Sequence, residues 1–249
     1  MFFLVYLFSY RFNFLFDAFC YFLSLFLLLG MPRLPGNKEA VVGGFINRLR
    51  EGFDYIYSHT EIKRLFLYQM AERVCWTYYI LMMFYVLQER GEGLYVYALL
   101  DIPLGLGGVL AGAVVGKLAE RLGPRGTHSV LGWSLIMMAA SIYFMFHSGP
   151  LPVLMVTTLF SAFASFSSSI LSMTRLQKLA DPNLLARVFS LREMATMGSF
   201  SLGCVIAGYG AERFGSAAVA TGLALWGGVI GLLWLLRIKP LKEQVEESI

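Results

Sequence analysis

Residues 94–118 read LYVYALLDIPLGLGGVLAGAVVGKL, 25 residues that hold one carboxylate, Asp101, and one lysine near the far end, Lys117. A helix that crosses the hydrocarbon core of a bilayer needs about 20 apolar residues, and its backbone groups must be satisfied within the helix itself. This stretch meets both demands. A membrane strand would instead show about ten residues of alternating polarity. Windows of similar length separate seven such segments, roughly 10–30, 64–88, 94–118, 128–147, 151–174, 187–210 and 216–236. The expected fold is an all-α membrane protein with about seven transmembrane helices.

The whole chain agrees with that stretch. Of its 249 residues 57% are hydrophobic and 14% charged, and the mean hydropathy is +0.65, whereas a soluble domain carries roughly 25% charge. Its 25 glycines and 12 methionines suit helices that approach closely in lipid. The net charge of +4 and pI near 9.0 do not point to nucleic acid, because the basic residues are scattered between apolar runs and do not gather into one patch. They sort by topology. Sixteen of the 20 Lys and Arg residues fall on one side, in connections that include Arg33, Lys38, Lys63, Arg64, Lys117, Arg121, Arg125, Arg175, Lys178, Arg187 and Arg192, and in the tail from Arg237. Arg90, Arg213 and Arg11 fall on the other side, and Arg73 lies inside a segment. The imbalance predicts a cytoplasmic C-terminus and, with seven spans, an N-terminus outside the cell membrane. The first 30 residues lack a basic leader and a small-residue cleavage site, so they read as a span and not as a signal peptide.

The organisation follows. Residues 1–30 form a transmembrane helix, 31–62 a cytoplasmic central loop, 63–236 a six-helix bundle and 237–249 a solvated tail. Within the loop, Phe45, Ile46, Leu49, Phe53 and Ile56 recur at helical spacing among charges, which predicts an amphipathic surface helix. Cys20, Cys75 and Cys204 are far apart, without a paired motif, and read as core packing.

Gly116, Lys117, Leu118, Ala119, Glu120, Arg121, Leu122, Gly123, Pro124 and Arg125 resemble the loop motif of the major facilitator superfamily, G-x-L-A-D/E-R-x-G-R-R/K, with Pro124 in place of the first of its last two basic residues. Residues 51–65 resemble the connector before the seventh helix of drug and siderophore exporters in that superfamily, such as macrolide-efflux and enterobactin-export proteins. Residues 177–191, QKLADPNLLARVFSL, are similar to the stretch between their tenth and eleventh helices. The resemblance implies a six-helix C-terminal bundle plus the preceding sixth helix. It also implies two partners outside this chain, namely an N-terminal half or a second copy, and a small amphipathic substrate exchanged against protons. Gly116, Glu120, Arg121, Gly123 and Arg125 would form its gating loop. A truncated or non-transporting remnant that needs a partner half is the alternative expectation.

Several residues could carry the chemistry. Gln69, Glu72, Trp76, Tyr79 and Met83 follow one another at steps of three and four, hence on one face. At about 1.5 Å per residue from Lys63, Glu72 lies roughly 13 Å into the membrane, where an ionisable group is costly and is a functional candidate by default. It could take a proton or an organic cation beside the two rings, or it could simply pair with Arg73. Asp101 shares a face with Gly105, Gly108, Gly112 and Gly116, a ridge that predicts close helix packing. It is read either as a proton-coupling group or as a structural one. Thr158, Ser161, Ser165, Ser168 and Ser172 form a hydroxyl stripe that is either a substrate wall or a packing face. Met194 and Met197 read either as an adaptable apolar wall or as simple packing. Asp17 and Arg11 could pair near the outer surface. Glu212-Arg213-Phe214-Gly215 reads as a helix turn.

Enzyme templates are absent. There is no HExxH, nucleophile elbow or dinucleotide fingerprint. Leu118 stands where a phosphate loop would need Ser or Thr, and His59, His128 and His147 are too dispersed for a metal site. No cofactor, metal or catalytic residue is expected.

Overall fold

The computed structural model describes residues 10–30, 45–119 and 121–236, and every regular element among them is a helix. In chain order these are α1 (Tyr10–Leu29), α2 (Phe45–Ser58), α3 (Thr60–Cys75), α4 (Tyr78–Phe84), a π-helical turn (Tyr85–Glu89), α5 (Leu94–Ala119), α6 (Pro124–His147), α7 (Leu151–Leu179), α8 (Leu185–Phe214) and α9 (Ser216–Leu236). Five stretches are long and apolar enough to cross a membrane: Leu94–Val115, Arg125–His147, Leu151–Leu179, Leu185–Phe214 and Ser216–Leu236. They give the chain the character of a multi-pass membrane protein. Only 17% of the most apolar window of α9 is buried inside the protein, which leaves Leu225, Val229, Leu232 and Leu233 on its surface. An apolar face of that extent suits lipid and not water.

Local chemistry sets the boundaries. Pro124 opens α6 directly after Gly123, where its missing N–H costs nothing. Gly215 closes α8 at φ 81°, and its N–H bonds the Ala211 carbonyl. That left-handed step is cheap only for glycine, and it lets α9 begin at the next residue. The expected turn at 212–215 is thus a helix end.

The segment expected as one span over 64–88 is interrupted. The α-helical pattern breaks at Trp76 and Thr77, because the Thr77 N–H and hydroxyl both turn to the Val74 carbonyl, at 3.2 and 2.7 Å. A hydroxyl that bonds back in this way competes with the helical ladder. Gly203 of α8 packs against the break, where a Cβ would stand 2.5 Å from the Thr77 methyl. The line from Thr60 to Glu89 still runs from one end of the bundle to the other. At its start Arg175 of α7 bonds Glu61 at 3.2 Å. At its finish Glu89 accepts the Ser216 N–H and hydroxyl at 2.8 and 2.5 Å, and Arg90 donates to the Gly149 carbonyl. This broken line touches α7, α8 and α9, while α5 packs on α7, α7 on α6 and α6 on α9.

Two further expectations change. Helix α2 does more than lie on a surface, since Gly52 meets Leu191 and Ile56 is buried with Ile62, Phe66, Leu176 and Val188. Tyr55 accepts the Asp181 N–H at 2.9 Å and Glu51 pairs with Arg187, so α2 fastens the start of α3 to the α7–α8 turn. In α1 every side chain described is exposed, Cys20 included, whereas Cys75 is buried. The side chains of Arg11 and Asp17, the start of the loop at 31–44 and the tail at 237–249 lie outside the described residues.

Candidate functional site

The broken helix meets α7 along a column of polar side chains. Gln69 donates to Ser172 at 2.7 Å. One turn further, Ser165 donates to the Glu72 carboxylate and receives the indole N–H of Trp76. Beyond the break, Thr158 meets the Met82 sulfur at 3.9 Å. The whole hydroxyl stripe of Thr158, Ser161, Ser165, Ser168 and Ser172 is buried. In this structure it packs against the interrupted helix. Its periodicity keeps one hydroxyl per turn on the seam, through steps of three and four, and Ser165 and Ser172 meet polar groups of the partner there.

Glu72 is 3% exposed. Among the described residues no basic group lies within ion-pair distance of it, so the expected pairing with Arg73 is not made. Both Arg73 and Arg192 nevertheless act on it electrostatically. A carboxyl at this depth with a hydroxyl partner and two nearby guanidinium groups is a place where a proton or a ligand charge can be exchanged.

The break also divides the expected face. Gln69 and Glu72 stay together on α3 with Trp76 capping its end, while Tyr79 on α4 donates to Asp101 of α5 at 2.7 Å, with its ring 5.8 Å from that of Tyr97. Met83 is exposed. Asp101 is half-buried and tied to this tyrosine. The glycine ridge expected behind it does not pack as predicted: a Cβ on Gly105 or Gly112 would meet open space, and one on Gly108 would meet only the Phe166 ring. The close approach comes instead at Gly107, where a Cβ would stand 2.6 Å from the Leu159 carbonyl.

The loop group is separate from this column. Arg121, Gly123 and Arg125 are exposed at the α5–α6 turn, Gly116 lies in the last turns of α5, and Glu120 falls outside the described residues. Met194 and Met197 are exposed on α8.

One member of the site escapes the sequence reading. Arg192 counts as a loop cation by position, yet it is 3% exposed and donates Nε to Gln69 at 2.8 Å and a terminal nitrogen to Glu193. A signal does exist, since Arg192, Thr196, Ser199 and Gly203 recur at steps of four, three and four and form the buried face of α8. With these positions defined, comparison with known proteins adds no name, because no family model and no curated protein matches the chain.

Proposed function

We propose that this chain is part of a secondary transporter of major facilitator type, a proton-coupled exporter of small amphipathic compounds such as drugs or siderophores, working by alternating access and not as an enzyme. The observation that carries the reading is the buried Glu72, held by Ser165 beside a break in a helix that otherwise runs the length of the bundle. Transporter sites favour discontinuous helices near mid-membrane, and an acid there is rare without a task. In this mechanism Glu72 takes a proton in one access state and releases it in the other. Trp76 and Thr77 act as the hinge, and Tyr79 with Asp101 passes the movement of α4 to α5. The loop from Gly116 to Arg125 clamps one state. The membrane is the cell membrane, with the C-terminus in the cytoplasm and the N-terminus outside.

The substrate path needs a second wall, which an N-terminal half or a second copy supplies. A second reading, a membrane scaffold that binds such a partner without transporting, is favoured by the open stripe at Gly105 and Gly112. Efflux of a fluorescent amphipathic dye from vesicles under a pH gradient separates the two. Transport by wild type and at least a tenfold loss in Glu72→Gln is expected. A correctly inserted protein whose efflux is unchanged by that substitution removes Glu72 from the mechanism, and one with no efflux in any pairing supports the scaffold.

A further inference from the structure

We infer that the face beside Arg73 and Arg192 binds an anionic group, so that the compound carried is an amphipathic anion and not an organic cation; this deepens the transport reading and rests on it for its functional meaning. Arg73 follows Arg64 by nine residues of α3, which places it about 13 Å further along the helix axis at about 1.5 Å per residue. Its Nε is buried without a hydrogen-bond partner, and no described carboxylate lies within ion-pair distance. What it has is the Trp76 ring, 5.9 Å from its guanidinium carbon.

Arg192 stands on the neighbouring α8 and bonds Gln69, one helical turn before Arg73 on α3. Its carboxylate partner, Glu193, has a side chain 51% exposed and so is not enclosed with the two arginines. The remaining acid, Glu72, already accepts from Ser165. Two permanently charged forks therefore share one buried carboxylate and one exposed one. Arg192 already has acceptors in Gln69 and Glu193, whereas Arg73 is half-buried with an Nε that has none; such a cation within a membrane is expensive, and the group missing beside it is an acceptor with negative charge. A carboxylate, sulfonate, phosphate or phenolate fits a guanidinium fork in geometry and in sign. The Trp76 ring, with the Phe166 ring edge-on at 6.1 Å, provides the apolar surface beside it. A positively charged drug would meet two like charges in the same place. The anion could come from a free amphipathic solute or from a lipid headgroup, but the depth of Arg73 favours the solute.

Binding, and not transport, tests this. The full chain in phosphatidylcholine nanodiscs is titrated with anilinonaphthalene sulfonate and, separately, with cationic rhodamine, each against empty discs. Wild type is expected to bind the sulfonate more tightly, Arg73→Gln to weaken it by about tenfold or more, and Arg73→Lys to restore most of that loss. Rhodamine binding should change by less than about twofold. Because Arg73→Gln also removes a charge that acts on Glu72, the deciding readout is the selectivity between the two dyes and not the melting temperature alone. If Arg73 only orders the bundle, that variant melts lower and both dyes weaken together, which overturns the inference; so does an unchanged sulfonate affinity or tighter binding of the cation. Arg192→Gln provides an independent variant with the same expected selectivity. Replacing part of the lipid with phosphatidylglycerol identifies the source: competition that vanishes in Arg73→Gln marks a headgroup, and its absence marks a solute. Sulfonate binding without dye efflux would keep the anion site and remove the transport reading, whereas Glu72-dependent efflux without sulfonate binding would do the reverse.

Discussion

Two stripes of small residues run along helices that pack on each other, and they meet opposite surroundings. The hydroxyl stripe of α7, from Thr158 to Ser172, is buried against the interrupted helix, whereas Gly105 and Gly112 of α5 face open space. The seam that α5 does bury lies one step round, through Leu100, Pro103, Gly107, Ala111 and Val115. Helical spacing says which residues share a face. It does not say what that face meets, and on α5 two rows of small residues compete for one partner. Hydroxyls resolve such a choice better than glycines do, because Ser165 and Ser172 have specific polar partners in Glu72, Trp76 and Gln69, while a glycine row offers only room.

The largest effect is expected where that room is already taken. Gly107→Leu would drive a side chain into the Leu159 carbonyl, the Ala162 methyl and the Phe163 backbone nitrogen, at 2.6, 2.7 and 2.9 Å from its Cβ alone. Backbone atoms cannot turn aside, so a loss of at least about 3 kcal/mol is expected. Gly112→Leu, on the open row, should cost less than about 0.5 kcal/mol. Thermal melts of the purified chain compare the two. A cost at Gly112 as large as that at Gly107 breaks the distinction and means that something covers the open row.

The long spans are legible in the sequence because their evidence is local. Residues 94–118 and 216–236 are apolar over the full thickness of a bilayer, and their limits nearly coincide with α5 and α9. The break in the expected 64–88 span is not legible, since neither Gly nor Pro marks it. It depends on the Thr77 hydroxyl choosing the Val74 carbonyl and on Gly203, distant in sequence, giving that bend a place. Glu72 is visible as an acid in an apolar run. Arg192 is not, because it is the last of four cations that follow one another from Arg175, and only the contact with Gln69 separates the buried one from the others.

An intermediate effect is expected at the polar seam itself. Ser165→Ala removes the donor to Glu72 and the acceptor of the Trp76 indole at once. Leaving buried polar atoms unsatisfied costs about 1–3 kcal/mol, so the variant should melt below wild type by that equivalent. Glu72→Gln combined with Ser165→Ala should cost less than the two single changes added together, because they share one interaction. Strict additivity would show that the seam is not coupled through this hydroxyl.

The smallest effect is expected one turn away, at Ser168, and it sharpens the comparison from inside the buried stripe. Its hydroxyl oxygen is buried without a hydrogen-bond partner, unlike those of Ser165 and Ser172. The Tyr68 hydroxyl acts on it without meeting hydrogen-bond geometry, so removing this oxygen relieves a desolvation cost while giving up a weak contact and little packing. Ser168→Ala should therefore change stability by no more than about 0.5 kcal/mol, in either direction, in the same melts that show the loss at Ser165. If the two alanine variants lose stability equally, the stripe acts through helix spacing alone, and the specific bonds of Ser165 cease to explain why α7 and the interrupted helix find each other.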